Sequence, residues 1–146
     1  MIDKTDSKII NTLLNNSRLS GREIAKKLDL STATIVNRIR KLESKGIIKK
    51  HSSILDYGKL GYNIEALVDI IVKHGKEDLV MSKIAKNPNV FAVYDITGDF
   101  DIAIIVRFQT REELNKFLKE VRADEYVERT HTRLILNVVK EEGIRI

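Results

Sequence analysis

The sequence contains no cysteine and no tryptophan, and it has a single proline. Without cysteine the chain cannot form disulfides, thiolate nucleophiles or cysteine-ligated metal sites, a composition that suits a reducing compartment. Its three histidines, His51, His74 and His131, are scattered without the spacing of metal ligands. We therefore expect neither a metal site nor a bound cofactor.

Long apolar runs are also missing from the sequence. No segment approaches the roughly 20 apolar residues of a membrane span. The opening Met1-Ile-Asp-Lys4 lacks the apolar core of a signal peptide. We expect a cytoplasmic protein that does not bind membranes.

Acidic residues are scarce in the first third of the chain. Residues 1–55 hold twelve Lys/Arg and five Asp/Glu, a net charge of +7, whereas residues 56–146 hold fourteen basic and sixteen acidic residues, a net charge of −2. The basic part predicts a module that binds a polyanion such as double-stranded DNA, and the remainder predicts a module with another role.

Three amphipathic helices are predicted in this basic part. The first covers residues 3–16, and the second follows Ser20-Gly-Arg-Glu23, which has the pattern of a capping box. The third begins after Ser31, a preferred N-cap residue, and ends at Gly46, which favours a left-handed C-terminal cap. Because only Asp29-Leu30 separates the second and third helices, we predict a helix-turn-helix.

The third helix is the predicted recognition helix. Its apolar stripe consists of Ile35, Ile39 and Leu42. We place four polar residues on the opposite face, namely Thr34, Asn37, Arg38 and Lys41. Arg pairs bidentately with guanine and Asn with adenine, so Arg38 and Asn37 are predicted to read bases. The predicted DNA-contacting residues are Arg22, Lys26, Ser31, Thr32, Thr34, Asn37, Arg38, Lys41 and Lys49. The alternative is a solvated basic face without a ligand.

Residues 47–51 are apolar and then basic, which predicts the first strand of a small wing. Lys49 would lie near phosphate. Alternatively, Lys49 and Lys50 only keep a strand edge soluble.

The rest of the chain alternates between strand and helix patterns. The predicted elements are strands over 63–72, 90–97, 101–108 and 126–139, and helices over 76–86 and from Thr110 onward. This β-α-β-β-α-β order is typical of the ferredoxin-like split βαβ unit. The predicted fold class is α+β, with a winged helix-turn-helix in residues 1–52, a connector in 53–62 and the ferredoxin-like domain in 63–146.

Both helices of such a domain cover one face of the sheet. Leu67, Ile71 and Ile105 are predicted to point toward the other face. An apolar sheet face is rarely left exposed in a soluble protein, so we expect a second copy to cover it in a two-fold homodimer. Two recognition helices could then reach half-sites about one helical turn, ~34 Å, apart.

The sequence resembles the Lrp/AsnC family of prokaryotic transcription regulators in both parts. The resemblance rests on Arg18-Leu-Ser20, Glu23-Ile-Ala25, Val36-Asn-Arg38-Ile-Arg-Lys-Leu42-Glu43 and Thr97-Gly-Asp-Phe-Asp101. Thr32 departs from the pattern, because many relatives have proline there. The resemblance implies a sequence-specific, nucleoid-associated regulator modulated by a small molecule, and dimers that assemble further into tetramers or octamers.

The resemblance also implies an amino-acid effector bound in clefts between dimers. It places Asp101 opposite the α-amino group of the ligand and gives Gly98 and Asp99 a close backbone approach. The residues implied in effector binding are Gly98, Asp99, Phe100, Asp101, Thr130 and Thr132. Alternatively, Gly98-Asp99 is only a turn and Asp101 only a solvated strand end.

Two other functions remain open from the sequence. A DNA-packing protein with little sequence preference would use the same basic module. Haem-precursor decarboxylases are built on the same two-part pattern, but the chain has no cysteine, metal spacing, Gly-rich phosphate loop or Ser/His/Asp constellation. Only His131 and Tyr126 are neighbouring candidates for proton chemistry. We therefore do not expect an enzyme.

Overall fold

The computed structural model describes residues 2–146 and contains two compact units. The first unit extends to Ile54 and also includes Lys140–Ile146, and the second is Leu55–Val139. The expected connector over 53–62 therefore falls across the boundary between the units. No helix in the described part of the chain is long and apolar enough to cross a membrane.

The first unit contains three helices: α1 (Lys4–Asn15), α2 (Gly21–Leu28) and α3 (Thr32–Ser44). Ser20 caps α2 as predicted, because its hydroxyl accepts the Glu23 amide and the Glu23 carboxylate accepts the Ser20 amide. Ser31 caps α3 through the Thr34 amide, at 3.1 Å. A second capping box, between Asp3 and Asp6, begins α1. Local sequence therefore sets all three helix starts.

The core of this unit lies where the three helices meet. It consists of the buried residues Ile9, Ile24, Ala25 and Ile35, with Leu13, Leu19, Leu28 and Ile39 packed around them. The α2 helix approaches α3 closely at Gly21, where an added Cβ would lie 2.9 Å from the Cγ2 atom of Val36. Glycine at this position therefore fixes how tightly the helix-turn-helix packs.

The expected wing strand over residues 47–51 is wrong in this structure, because no strand is formed there. The amides of Ile47 and Ile48 instead both donate to the Leu42 carbonyl, and Gly46 has the left-handed φ of 69° predicted for it. These bonds close the C-terminal end of α3. Lys49 consequently lies in an exposed, irregular segment.

Residues 140–146 belong to the first unit, although the sequence placed them in the second domain. The Asn11 side chain of α1 bonds both the backbone N–H and the carbonyl of Ile146. Gly143 passes so close to Leu14 that an added Cβ would lie 2.7 Å from its Cδ2 atom. This segment has no periodicity from which its docking on α1 could be predicted.

The second unit is a four-stranded antiparallel sheet with two helices. Its elements are β1 (Ile64–Val72), α4 (Glu77–Ile84), β2 (Val90–Asp95), β3 (Ile102–Phe108), α5 (Arg111–Arg122) and β4 (Val127–Leu134). The sheet order is β2-β3-β1-β4, which confirms the predicted ferredoxin-like topology. Thr110 caps α5 through the predicted capping box with Glu113.

One sheet face and the two helices form the core of the second unit. The buried strand residues are Ala66, Val68, Ile70, Val72, Ile102, Ile104, Val106 and Phe108, and the helices contribute Val80, Ile84, Leu114, Phe117, Leu118 and Val121. On the other face, Leu67, Ile71 and Ile105 are only half-buried, as the strand alternation predicts. We call this second side the open face.

The final strand ends earlier than predicted, at Leu134 rather than residue 139. The Ile135 amide still donates to the Glu65 carbonyl at 2.8 Å. However, β1 begins at Ile64, so the backbone beyond Ile135 has no strand beside it. Leu136 and Val139 are consequently 95% and 91% exposed.

Candidate nucleic-acid interface and ligand loop

The outer face of α3 presents three polar side chains together. Asn37, Arg40 and Lys41 are exposed, whereas Ile35 and Leu42 are 0% and 3% exposed on the inner face. A helix turns by about 100° per residue, which puts Arg40 beside Asn37 and away from the core. Arg40 has no ion pair among residues 2–146. Arg40 is not among the DNA-contacting residues predicted from the sequence. Its three-residue spacing from Asn37 could have indicated that the two side chains share a face of the helix.

Arg38 does not lie on this outer face, so its expected placement is wrong. It comes three residues after Ile35 and four before Leu42, and therefore flanks the buried stripe. Its Nη1 atom lies 2.6 Å from the Asp3 carboxylate and 2.7 Å from that of Asp6. The guanidinium therefore holds α3 against the start of α1.

These ion pairs also shift the pKa values of Asp3 and Arg38. The hydrogen bond from Arg38 lowers the pKa of Asp3 below its ordinary value of 3.8. In return, the hydrogen bond to Asp3, followed by that to Asp6, raises the pKa of Arg38. Both groups are therefore charged at neutral pH, and two carboxylates oppose the approach of a phosphate to Arg38.

The start of α3 carries two hydroxyl groups that contact each other. The Ser31 and Thr34 oxygen atoms are 2.8 Å apart, and Ser31 also accepts the Thr34 amide. Ser31 and Thr32 are exposed, whereas Thr34 is half-buried. The cap therefore fixes Thr34 and leaves Ser31 and Thr32 accessible at the end of the helix.

Basic side chains surround the recognition helix. Arg22 and Lys26 are exposed on α2, and Lys49 is exposed beyond the end of α3. None of the three has an ion pair in the part of the chain that the structure describes. Their charge is consequently available to a polyanion, as expected from the sequence.

The second candidate site is the turn between β2 and β3. Gly98 has a φ of 113°, which favours glycine, and nothing lies within 4 Å of where its Cβ would be. The Ile96 amide donates to the Asp101 carbonyl at 2.9 Å and closes the turn. Asp99 is exposed at its tip. The predicted turn is thus formed, with an open approach to its backbone.

Asp101 forms two hydrogen bonds with β1. Its Oδ2 atom accepts the Val72 amide at 2.9 Å, at a point where the pairing of β1 with β4 shifts register. Its own amide donates to the Ile70 carbonyl at 3.0 Å. The carboxylate therefore stabilises the end of β1 through one oxygen.

Phe100 connects the turn to the final strand. Its ring stacks on that of His131, with centroids 6.0 Å apart and an interplanar angle of 24°. His131 pairs with Asp69 across the sheet, and Asp69 in turn bonds Arg133. His131 was absent from the predicted effector residues, because only the strand register reveals that it meets Phe100.

Thr130 and Thr132 are not brought onto the same face as His131. They pair with Ile70 and Val68, whose side chains are completely buried on the helix-covered face. Because side chains alternate along a strand, the two threonines point to that face and His131 to the open one. The two threonines therefore lie on the face opposite His131, and their role in effector binding stays a prediction.

Comparisons with known proteins agree with this architecture. Residues 2–49 match the winged helix-turn-helix DNA-binding family, and residues 65–144 match the Lrp/AsnC ligand binding domain. The HTH-type transcriptional regulator FL11 of Pyrococcus furiosus is 43% identical over 141 residues, covering 97% of this chain and 93% of FL11. The chain belongs to the Lrp/AsnC family.

Solved structures show the same fold over nearly the whole chain. AsnC of E. coli has a TM-score of 0.91 at 25% identity, covering 100% of this chain and 99% of AsnC. A transcriptional regulator from Neisseria meningitidis, solved as a complex with L-Met, has a TM-score of 0.89 at 22% identity and covers 97% of this chain and 94% of its own.

Membership of the Lrp/AsnC family confirms the predicted α+β fold, in which a domain of the winged helix-turn-helix family precedes a ligand-binding domain. Residues 47–51 belong to the first of these domains although they form no strand in this structure. It also confirms the predicted function, a DNA-binding transcription regulator with an effector module. Among the described residues, no group of three or more His, Cys, Asp or Glu side chains could hold a metal ion.

Proposed function

We propose that this Lrp/AsnC regulator reads its DNA sites with Asn37 and Arg40 on the outer face of α3. The observation that carries this proposal is the exposure of these two side chains beside Lys41, while Arg38 is paired with α1. Asn is suited to adenine and Arg to guanine in the major groove. Arg40 replaces Arg38 as the proposed base reader.

The proposed phosphate contacts come from Arg22, Lys26, Lys41 and Lys49, with Ser31 and Thr32 at the exposed start of α3. Such contacts position a protein on DNA and carry no sequence information. Thr34 supports this end of the helix through its hydroxyl contact with Ser31. Together these groups let α3 enter the groove with its N-terminal end first.

The proposed working unit is a two-fold homodimer formed through the open face. Half-buried Leu67, Ile71 and Ile105 form the apolar centre of this face, and the charged pairs Glu65–Arg107 and Asp69–Arg133 border it. A self-complementary apolar patch with a polar rim fits a second copy. The exposed apolar residues after β4 are available for further assembly into tetramers or octamers.

The proposed effector is a free amino acid, which is the class of molecule present in the complex of the N. meningitidis regulator with L-Met. We assign its ammonium group to Asp101, whose Oδ2 holds the Val72 amide and whose second carboxylate oxygen can bind a cation. The open backbone at Gly98 and Asp99 would receive the carboxylate of the ligand. Phe100, with His131 behind it, would face the side chain of the ligand. Thr130 and Thr132 support this strand from its other face.

A competition binding experiment distinguishes a sequence-specific regulator from a DNA-packing protein. In either role the protein would act in the cytoplasm. Labelled duplex carrying the preferred site is bound by full-length protein and then challenged with a thousandfold excess of bulk DNA. A regulator should retain its site, because specific affinity commonly exceeds non-specific affinity by about 10³ or more. Complete loss of the labelled duplex would support packing without sequence preference.

A further inference from the structure

The open face holds a buried cation between two aromatic rings. The Arg107 guanidinium carbon lies 4.6 Å from the ring centroid of Tyr57 and 4.3 Å from that of Phe91. Its Nη2 atom lies 3.0 Å from a Glu65 carboxylate oxygen, and the Arg107 side chain is only 7% exposed. A planar guanidinium can stack on both rings and bond the carboxylate at its edge.

Two of these partners come from β1 and β2. Glu65 is in β1, and it pairs directly with Arg107 across the β1–β3 ladder. The β2–β3 register shifts between Val90 and Ala92, a bulge that lets Phe91 lie over Arg107. Sheet pairing alone therefore fixes the guanidinium and one of its rings.

Unlike Glu65 and Phe91, Tyr57 lies in the connector, outside any helix or strand. Its carbonyl accepts the amides of Leu60 at 3.1 Å and Tyr62 at 2.9 Å, and its ring meets that of Tyr62 edge-on. Residues 57–62 are therefore a folded turn whose Tyr57 side chain reaches the sheet at Arg107. Tyr57 is the ring that attaches the connector to the buried cation.

We propose that Arg107 is a positioning residue that anchors the connector and thereby sets the spacing of the DNA half-sites. The first compact unit extends to Ile54, three residues before Tyr57, and three residues of chain span at most about 11 Å. Anchoring Tyr57 would therefore shorten the free part of the connector that follows the first unit. This inference rests on the proposed function, because spacing has meaning only for a dimer bound to two half-sites.

Hydrogen exchange of the full-length protein tests the anchor without DNA. The readout is the amide exchange of Leu60, Gly61 and Tyr62, whose N–H groups all bond within the turn. We expect Tyr57→Ala to accelerate these amides about tenfold or more, because the turn then opens locally. Tyr57→Phe keeps the ring face and is the matched control, in which exchange should match that of the wild type.

A second variant, Arg107→Lys, keeps the charge but cannot stack on both rings, and it should expose the same amides. Because Arg107 is buried beside Glu65, this variant risks a loss of folding. Tyr57→Ala leaves that buried ion pair intact and keeps the test decisive. Unchanged exchange of residues 60–62 in folded Tyr57→Ala would overturn the anchor.

The consequence for DNA is measured with a set of duplexes that carry two half-sites at graded separations, beside a duplex with one half-site. Wild type and Tyr57→Phe should prefer one separation, whereas Tyr57→Ala should bind the separations nearly equally with unchanged single-site affinity. A variant that had only lost folded structure would instead bind every duplex more weakly, to the same extent. A sharp spacing preference retained in Tyr57→Ala would overturn the positioning role.

Failure of the proposed function looks different from failure of the anchor. If the wild type prefers no duplex at all, the proposed function and the spacing role are both overturned. The exchange measurement still decides the anchor in that case, because it needs no DNA.

Discussion

The Nη1 atom of Arg38 lies 2.6 Å from the Oδ2 atom of Asp3. This ion pair joins the middle of α3 to the N-cap residue of α1, and Asp6 extends it. The α3 helix thus uses one arginine for its own packing and leaves Arg40 exposed.

Arg40→Ala is expected to lose discrimination between the preferred site and a single-base variant by roughly 1–3 kcal/mol, because a bidentate base contact is removed. The measurement is the ratio of dissociation constants for the two duplexes at fixed salt. Arg38→Ala is the matched control. It should lower the Tm and weaken both duplexes alike. A flattened sequence preference in Arg38→Ala, with Arg40→Ala unchanged, would restore Arg38 as the base reader.

Lys41→Ala should weaken binding to all duplexes alike and reduce the salt dependence of log K by about one. The reason is the loss of one phosphate contact and its released counterion. Binding is titrated across a range of salt concentrations. Lys116→Ala removes an exposed lysine of α5, outside the proposed interface, and should leave the slope unchanged. Equal slopes for wild type and Lys41→Ala would argue against the phosphate contact.

Asp3 is expected to make the stability of the first unit depend on pH in the acidic range. Because its pKa in the folded protein is lower than 3.8, its contribution to stability is fully present above that value. The contribution is lost as the pH falls through the folded pKa. Asp3→Asn should therefore lower the Tm at pH 7, and the difference from wild type should shrink below about pH 4.

Asparagine retains N-cap ability, so this variant isolates the ion pair from the cap. Thermal unfolding is followed from neutral to acidic pH. Asp99→Asn, in an exposed turn without an ion pair among the described residues, should show no such convergence. A difference between Asp3→Asn and wild type that stays constant down to pH 2 would contradict the account.

Two substitutions of Asp101 are expected to affect the stability of the fold and effector binding differently. Asp101→Asn keeps an oxygen for the Val72 amide but removes the charge, so it should retain its Tm and lose amino-acid affinity by roughly 10- to 100-fold. Asp101→Ala leaves that amide without its acceptor and should also destabilise the fold by about 1–3 kcal/mol. Calorimetric titration and thermal unfolding measure the two effects. An Asp101→Asn variant that binds its amino acid like wild type would remove Asp101 from the site.

Local sequence signals predicted much of this fold, because their causes are local. The capping boxes at Ser20 and Thr110 and the left-handed Gly46 involve residues within a few positions of one another. The strand alternation likewise predicted which side chains form the core, since its period is independent of the rest of the chain.

The remaining features depend on contacts that are distant in the sequence. Arg38 was placed opposite the apolar stripe of α3. Its position three residues after Ile35 and the two acids of α1 instead decide the direction of its side chain. The stack of Phe100 on His131 depends on the sheet register. Likewise, the Arg107 contact with Tyr57 joins a strand to a connector that has no periodic pattern.

Selection of bound duplexes from a random pool, repeated with each of the twenty amino acids present, tests whether the protein is a sequence-specific regulator that responds to an amino acid. We expect one enriched two-fold-symmetric motif, with half-sites about one helical turn, ~34 Å, apart. We also expect at least one amino acid to change the recovery of that motif. A bound pool without any enriched sequence, under all conditions, would contradict a role as a sequence-specific regulator.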